Sequence, residues 1–423
     1  PHPRYAHVMD PVTLPELKHR IKCMKKNKAG GRSGVTADLL QILDDPILMN
    51  WILPLINAFM ALEDMPPTAK LFAIWAIEKY KGSGSIITSA GKLNIRPIVL
   101  LEPIYKLQEA IIHSRLSRAM DKAGVLDPSQ YGFSKDVGAD DLLLTEAQIM
   151  EHAHQHKREI HISNNDCTAA YDSIAAWVME MIYHYHNLPP RLINYLLNTD
   201  RHLHGQVLTA HGAGEDFSKE CGLGQGSILA PLKWKLFLDP LLRLLRNTGN
   251  PYTMGSGSNK VDLYAAAFAD DLGIFAPTHA DYKLRMTLTN KYLSFFGVEL
   301  NATKTTYTYD NTPNNQHYHP IQIWNRHTNE HAASAVAAPT QPLRYLGGWL
   351  SPSLRSTKGK RMLLASLHSI LNVLQYKKLD WVEYRYIIQA VVASKALYYL
   401  NVTPFTDTEL DTIDRRIANQ FKR

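Results

Sequence analysis

The sequence predicts an α+β fold, and two observations carry that reading. Helical periodicity marks segments towards both ends, with Ile104, Leu107, Ile111 and Leu116 in one and Leu363, Leu367, Ile370 and Leu374 in the other. Between them lie short apolar runs of strand length, at 73–78, 95–100, 159–163, 264–269 and 272–275. Helices flanking a strand-rich centre, without a repeat of fixed period, read as segregated α and β elements rather than a solenoid.

Taken in order, residues 14–27 read as a basic amphipathic helix (Leu17, Ile21, Met24) stopped by the turn Ala29-Gly30-Gly31-Arg32-Ser33-Gly34. Residues 36–62 read as helical. The apolar stretch Ile47 to Leu62 is interrupted by Asn50, Pro54 and Asn57, which predicts a buried helix rather than a membrane span. Two strands, 73–78 and 95–100, flank the loop Lys81-Gly82-Ser83-Gly84, and a helix follows over 103–122. A strand over 159–163 leads to Asp166, and 174–186 is a helix. Two apolar runs about Asp270-Asp271 make a β-hairpin. The Asn-, His- and Pro-rich stretch 309–342 reads as a surface insertion. Helices over 359–374 and about 381–400 close the pattern.

Composition narrows the function. The 423 residues are 45% hydrophobic and 20% charged, a globular balance that excludes disorder. The three cysteines, Cys23, Cys167 and Cys221, are far apart and form no CxxC, which excludes a disulfide framework and a zinc ribbon. They point to an intracellular, reducing compartment, nuclear or cytoplasmic. The net charge of +7 is unevenly spread. His331 to Leu379 carries no acidic residue but holds Arg344, Arg355, Lys358, Lys360, Arg361, Lys377 and Lys378. Lys18 to Arg32 is a second basic tract, and the pair predicts a polyanionic partner and no membrane. No signal peptide opens the chain, which starts at Pro1 and reads as a piece of a larger product.

Three segments carry chemistry. In Phe268-Ala269-Asp270-Asp271, adjacent carboxylates between apolar strands call for a counter-charge, and hard oxygen donors suit Mg²⁺ or Mn²⁺. A plain surface turn is the bland reading of that tetrapeptide. Asp166-Cys167-Thr168-Ala169-Ala170-Tyr171-Asp172 puts a third carboxylate at a strand end, and three carboxylates can hold two ions. Gly222-Leu223-Gly224-Gln225-Gly226-Ser227 lets backbone approach a ligand closely, but lacks the GK[ST] of a P-loop.

In this order the segments resemble the reverse-transcriptase family, and most nearly its non-LTR (LINE-type) retrotransposon branch. Lys28 to Gly34 is similar to "KAPGPDG", departing at Gly30 and Ser33. Arg96-Pro97-Ile98 with Tyr105-Lys106 resembles "RPI…L…YK", and Gln130-Tyr131-Gly132-Phe133 resembles "Q(F/Y)GF". Gly297 to Lys304 is similar to the motif ending "LN..KT", and Arg344-Tyr345-Leu346-Gly347 to the primer-grip "YLG".

The resemblance implies a right-hand polymerase fold with fingers, a palm bearing an antiparallel sheet, and a helical thumb. It implies an N-terminal extension and fingers base over 1–62, fingers over 63–158, palm over 159–342, and primer grip with a partial thumb over 343–423. Asp166, Asp270 and Asp271 would hold two Mg²⁺ or Mn²⁺ ions. Lys304 would act as general acid at the pyrophosphate. Arg96, with Lys79 or Lys81, would meet the incoming triphosphate. Tyr171 would crowd a sugar 2′ position and so select dNTPs. Gln225 and Gly226 would line the nucleotide pocket, and Tyr345, Leu346 and Gly347 would hold the primer end. Partners would be an RNA template, a DNA primer or RNA–DNA duplex, dNTPs, and other domains of a larger polyprotein. Two other readings stand beside it: a catalytically silent or domesticated nucleic-acid-binding copy, and an RNA-dependent RNA polymerase, against which Tyr171 speaks.

Other signals carry less. His152, His154 and His156 with His161 read as a solvated helix end rather than a metal array, because i and i+2 do not share a helix face. His317 and His319 read likewise. Trp75 and Trp234 read as core, and Trp349 as a residue able to stack on a base.

Overall fold

In a computed structural model of the chain, residues 3–78, 95–209, 211–224, 226–325, 329–353, 357–403 and 405–421 are described. They form two compact units. The first comprises Pro1–Asp127, Ala169–Leu241 and Phe295–Val298; the second comprises Pro128–Thr168, Leu242–Ser294 and Glu299–Arg423.

In the first unit the Leu71–Glu78 strand pairs antiparallel with Ile95–Leu101 and parallel with His204–Thr209. Pro97 is tolerated because its strand lies at the edge of the sheet. The Pro103–Lys122 helix forms over its predicted span with Pro103 in the first turn, and buries Leu107, Ile111, Leu116 and Met120. The basic helix ends early, at Cys23.

Residues 36–62 do not form one buried helix. They divide into Ala37–Gln41, Asp45–Ile47, a π-helical stretch Leu48–Ile52, and Leu53–Leu62. Asp44 starts the second piece by accepting from the Ile47 N–H. Pro54 sits in the first turn of the last, where it cannot close the regular hydrogen-bond ladder. Leu48, Ile56, Phe59 and Met60 are buried, while Met49, Trp51 and Leu62 face outward. The helix is therefore one-sided. By length and composition Asp45–Leu62 could cross a membrane. Its Asn57 amide, however, exchanges two hydrogen bonds with the Val12 backbone. Trp75 is half exposed, because the strand turns alternate side chains outward, whereas Trp234 is fully buried as expected.

The second unit is built on a five-stranded sheet. Its order is Ala265–Phe268, Asp271–Ala276, Ile160–Asn165, Thr306–Asp310 and Ala335–Ala337, antiparallel except for the last pair. Alternation along the central strand divides its two faces. Ile160 and Ile162 pack with Leu142, Leu143, Ile149 and Met150 of the Ala139–Gln155 helix. Ser163 turns the other way, its hydroxyl on the Met286 sulfur of the His279–Phe295 helix. His161 shares that second face. It is fully buried, hydrogen-bonded to Tyr307 and Glu159, and stacked among tyrosines, so it does not belong to a solvated helix end.

The stretch 309–342 is also more than an insertion. Ala335–Ala337 supplies the outer sheet strand, and Gln322–Asn325 pairs with Glu330–Ala333. Ile323, Ser334 and Ala337 are buried. A strand ladder is made by backbone, so a polar composition conceals it.

At the C-terminal end Lys358–Leu374 buries Leu363, Leu367 and Leu374 of the predicted stripe, while Leu371, outside it, is buried and Ile370 only half-buried. Val392 and Ile413 pack into the same core as Leu363 and Leu367. Asp380 and Glu383 form a reciprocal capping box that starts the next helix. The final helix, Asp407–Phe421, was not predicted; its apolar stripe is thin.

Candidate active site

The central sheet ends in three carboxylates. Phe268 pairs with Asp271, so Ala269-Asp270 is a tight two-residue turn. Leu272 pairs with Asn165, the last pair of that ladder, so Asp271 and Asp166 lie one residue beyond it on adjoining chain segments, close enough for the Asp166 charge to act on Asp271. All three aspartates are half-buried.

The turn is strained and clamped. Ala269 has a left-handed φ of 56°, which costs a residue with a Cβ roughly 1–2 kcal/mol. Gln130 holds it at both ends: its Oε1 accepts from the Ala269 N–H at 3.2 Å and its Nε2 donates to the Ala269 carbonyl at 3.3 Å. Gly132 lies so close that any Cβ there would collide with the Ala269 backbone.

The Asp166 end is held from below. Glu299–Leu300 pairs with Cys167–Thr168, and the Asn301 N–H donates to the Asp166 carbonyl at 2.8 Å. The Lys304 and Thr305 N–H groups then fold back on the Asn301 carbonyl. That turn sets the Lys304 ammonium on both Asp166 oxygens, at 2.9 and 3.2 Å.

The electrostatics are those of crowded negative charge. Burial first, then the charges of Asp270 and Asp166, push the Asp271 carboxyl up to about 7, with Lys304 opposing. Asp270 is raised by burial and by Asp166, against its own backbone hydrogen bond and Lys304. Burial and the same three carboxylates push the neighbouring Cys167 thiol well up. Among the described residues no three His, Cys, Asp or Glu side chains converge closely enough to coordinate one ion, and Lys304 is the counter-charge in contact with Asp166. The donor set, hard oxygens with excess negative charge, suits a divalent cation.

The Tyr345 hairpin belongs to the same unit. Leu343–Tyr345 pairs with Gly348–Leu350 across a turn in which Leu346 and Gly347 have φ of 46° and 88°. The Tyr398 hydroxyl donates to the Leu346 carbonyl, and Tyr399 to that of Gly347. Tyr345 points inward and is buried, so Leu346 and Gly347 provide the accessible surface of the turn.

The other expected site residues lie in the first unit. Arg96 is exposed on its edge strand, opposite Ile77. Tyr171 stacks on Trp234, ring centroids 5.4 Å apart. Its carbonyl accepts from the Leu223 N–H at 2.7 Å, and that of Ile174 from Gly222, which joins this turn to the glycine loop. Gly226 rests against the Val99 carbonyl where a Cβ would not fit. Lys79 and Gln225 lie outside the described residues. Two buried side chains were not anticipated as site residues: Gln130, and Glu109, which accepts from the Ser227 hydroxyl and the Ile228 N–H to anchor the loop end.

With this geometry in hand the comparison is decisive. The family model described as "Reverse transcriptase (RNA-dependent DNA polymerase)" matches residues 83–350. The chain belongs to the reverse transcriptase family. It is 28% identical over 294 residues to the retrovirus-related Pol polyprotein from type-2 retrotransposable element R2DM of Drosophila melanogaster, covering 69% of this chain and 26% of that protein. It is 23% identical over 274 residues to the RNA-directed DNA polymerase from mobile element jockey of Drosophila funebris, covering 63% and 27%. The transposon TX1 149 kDa protein of Xenopus laevis matches at 23% over 304 residues, covering 72% and 22%. These relatives identify a reverse transcriptase domain of the non-LTR type, and the chain spans about a quarter of their length. Among solved structures, telomerase from Candida albicans superposes with a TM-score of 0.43 at 11% identity, covering 87% of this chain and 66% of that one. The mixed sheets and helices are those of the right-hand polymerase fold of reverse transcriptases.

Proposed function

We propose that this domain is an RNA-directed DNA polymerase that extends a primer 3′-hydroxyl with dNTPs. The observation that carries the reading is that Asp271 and Asp166 each lie one residue beyond the Leu272–Asn165 pair of adjoining strands, while a clamped turn presents Asp270. Asp166, Asp270 and Asp271 would hold two Mg²⁺ or Mn²⁺ ions. Bound there, such ions lower the pKa of an attacking hydroxyl and neutralise a leaving pyrophosphate.

The protein's own groups do the rest. Lys304, already within hydrogen-bond reach of Asp166, holds a proton for the departing pyrophosphate. Arg96 and Lys79 take the triphosphate. Tyr171, fixed by its stack on Trp234, closes the space a ribose 2′-hydroxyl needs, and Gln225 and Gly226 line the base pocket. Leu346 and Gly347 hold the primer end. The acid-free basic tract from His331 to Leu379 meets template and duplex phosphates without reading sequence. Cys23, Cys167 and Cys221 are unpaired, which supports work inside the cell, in nucleus or cytoplasm.

Primer extension on an RNA template tests this, with dNTPs and rNTPs in parallel. Metal-dependent growth with dNTPs is expected; preferential incorporation of rNTPs would overturn it.

A further inference from the structure

Beneath the carboxylates lies a buried polar group that no catalytic role above uses. Glu146, on the Ala139–Gln155 helix, is fully buried. One carboxyl oxygen accepts from the Asn164 amide at 2.9 Å. The other has no hydrogen-bond partner among the described residues, nor have the Asn164 carbonyl oxygen and the Tyr345 hydroxyl. A buried polar atom left unpaired costs about 1–3 kcal/mol, so three on one face of the sheet call for an explanation.

Their placement supplies one. Asn164 lies two residues before Asp166, on the strand that ends at Asn165. It pairs with Gly273, which follows Asp271 by two. A Cβ on Gly273 would lie 3.5 Å from the Tyr345 hydroxyl, an ordinary contact distance, so the tyrosine tip lies against the sheet at Gly273. One turn before Glu146, Leu143 packs against Gly348 of the Tyr345 hairpin too closely to admit a Cβ. Glu146 thus lies among both metal-carrying strands and the hairpin expected to hold the primer.

We propose that Glu146 is a positioning residue for polymerisation, setting the Asp166 strand and the Tyr345 hairpin at the distance that aligns a primer end with the carboxylates. The proposal rests on the polymerase reading above. Burial pushes the Glu146 carboxyl up to about 8, with the Asn164 bond opposing, so the group is largely neutral at pH 7 and able to donate. The hydroxyl of Tyr345, on the hairpin, is itself raised by burial first and then by the charges of Glu146, Asp271 and Tyr398.

Primer extension by the unmodified chain, Glu146→Gln, Glu146→Leu and Tyr345→Phe tests it, read as kcat, KM for primer–template, and a pH profile from 6.5 to 9.5. Glu146→Gln keeps the neutral hydrogen-bonding shape. It should extend within about threefold of the unmodified chain at pH 7 and keep activity above pH 8, where the unmodified chain declines. Glu146→Leu should lose roughly tenfold or more in kcat, with less change in KM. Tyr345→Phe leaves the ring packing intact and should lose activity without adding to the Glu146→Leu deficit. Full activity of Glu146→Leu and Tyr345→Phe, or the same alkaline decline in Glu146→Gln, would overturn the proposal alone. Absence of extension by the unmodified chain would overturn the polymerase reading and this role together.

Discussion

The Gln130 side chain closes on both backbone groups of Ala269, accepting from its N–H and donating to its carbonyl, and so fixes the turn that presents Asp270. A left-handed alanine persists only where its surroundings over-determine it. Gln130→Ala removes the clamp and leaves Asp270 poorly aimed. Extension should fall roughly 10²-fold, the order expected for a misplaced catalytic group. Circular dichroism should show an intact fold. Ala269→Gly, which removes the Cβ penalty, should be tolerated; a severe loss of stability in that variant would contradict the account of the turn.

Lys304 and Asp166 form a half-exposed ion pair, and pairs of that kind contribute roughly 0–1 kcal/mol. Lys304→Ala should therefore leave denaturant stability nearly unchanged. If Lys304 supplies the proton to pyrophosphate, the single-turnover rate should drop on the order of 10²-fold, and Lys304→Arg should recover only part of it. A stability loss matching the activity loss would assign Lys304 a structural role instead.

The Asp271 carboxyl, held up to about 7 by burial and its acidic neighbours, gives a pH dependence with a definite sign. Its folded value lies above the ordinary carboxylate range. Its contribution to stability is thus full below that range and is lost as pH rises through about 7. A divalent cation binds the ionised form and reverses the penalty. Thermal melts at pH 5.5 and pH 8 should show a larger gain on adding Mg²⁺ at pH 8. The Mg²⁺ concentration for half-maximal extension should fall over the same interval. Equal Mg²⁺ effects at both pH values would detach Asp271 from the metal site.

Tyr171 is held face to face with Trp234, a rigid wall rather than a mobile side chain. Tyr171→Ala should raise rNTP relative to dNTP incorporation, roughly 10–100-fold from the loss of steric exclusion in a fixed pocket. Steady-state kcat/KM for matched nucleotide pairs measures the ratio. An unchanged ratio would remove Tyr171 from sugar selection.

Much of this was legible because periodicity and turn chemistry are local. The Pro103–Lys122 helix and the Asp270-Asp271 hairpin follow directly from side-chain spacing. The Ala335–Ala337 strand and the buried His161 were not readable, because a ladder uses backbone and polar residues can be satisfied by distant partners. One signal was present and unread. Glu109 falls on the stripe of Tyr105, Ile112 and Leu116, and Glu146 on that of Leu142, Ile149 and Ala153, yet all are buried. A carboxylate at an apolar-stripe position marks a buried polar contact made to another element, and which element depends on tertiary structure. The aspartates stand out in the sequence by residue type and order; the Gln130 clamp on the Ala269 turn and the Glu109 anchor of the glycine loop are visible only in geometry.

The measurement that bears most directly on the central claim is primer extension by the purified chain and by Asp270→Ala/Asp271→Ala, on an RNA template with Mg²⁺ or Mn²⁺. The account predicts metal-dependent growth with dNTPs in the unmodified chain and none in the double variant, with template binding equal in both. Extension that survives loss of both carboxylates would contradict the assignment of the active site. Intact template binding without extension by either protein would make the chain a silent nucleic-acid-binding copy.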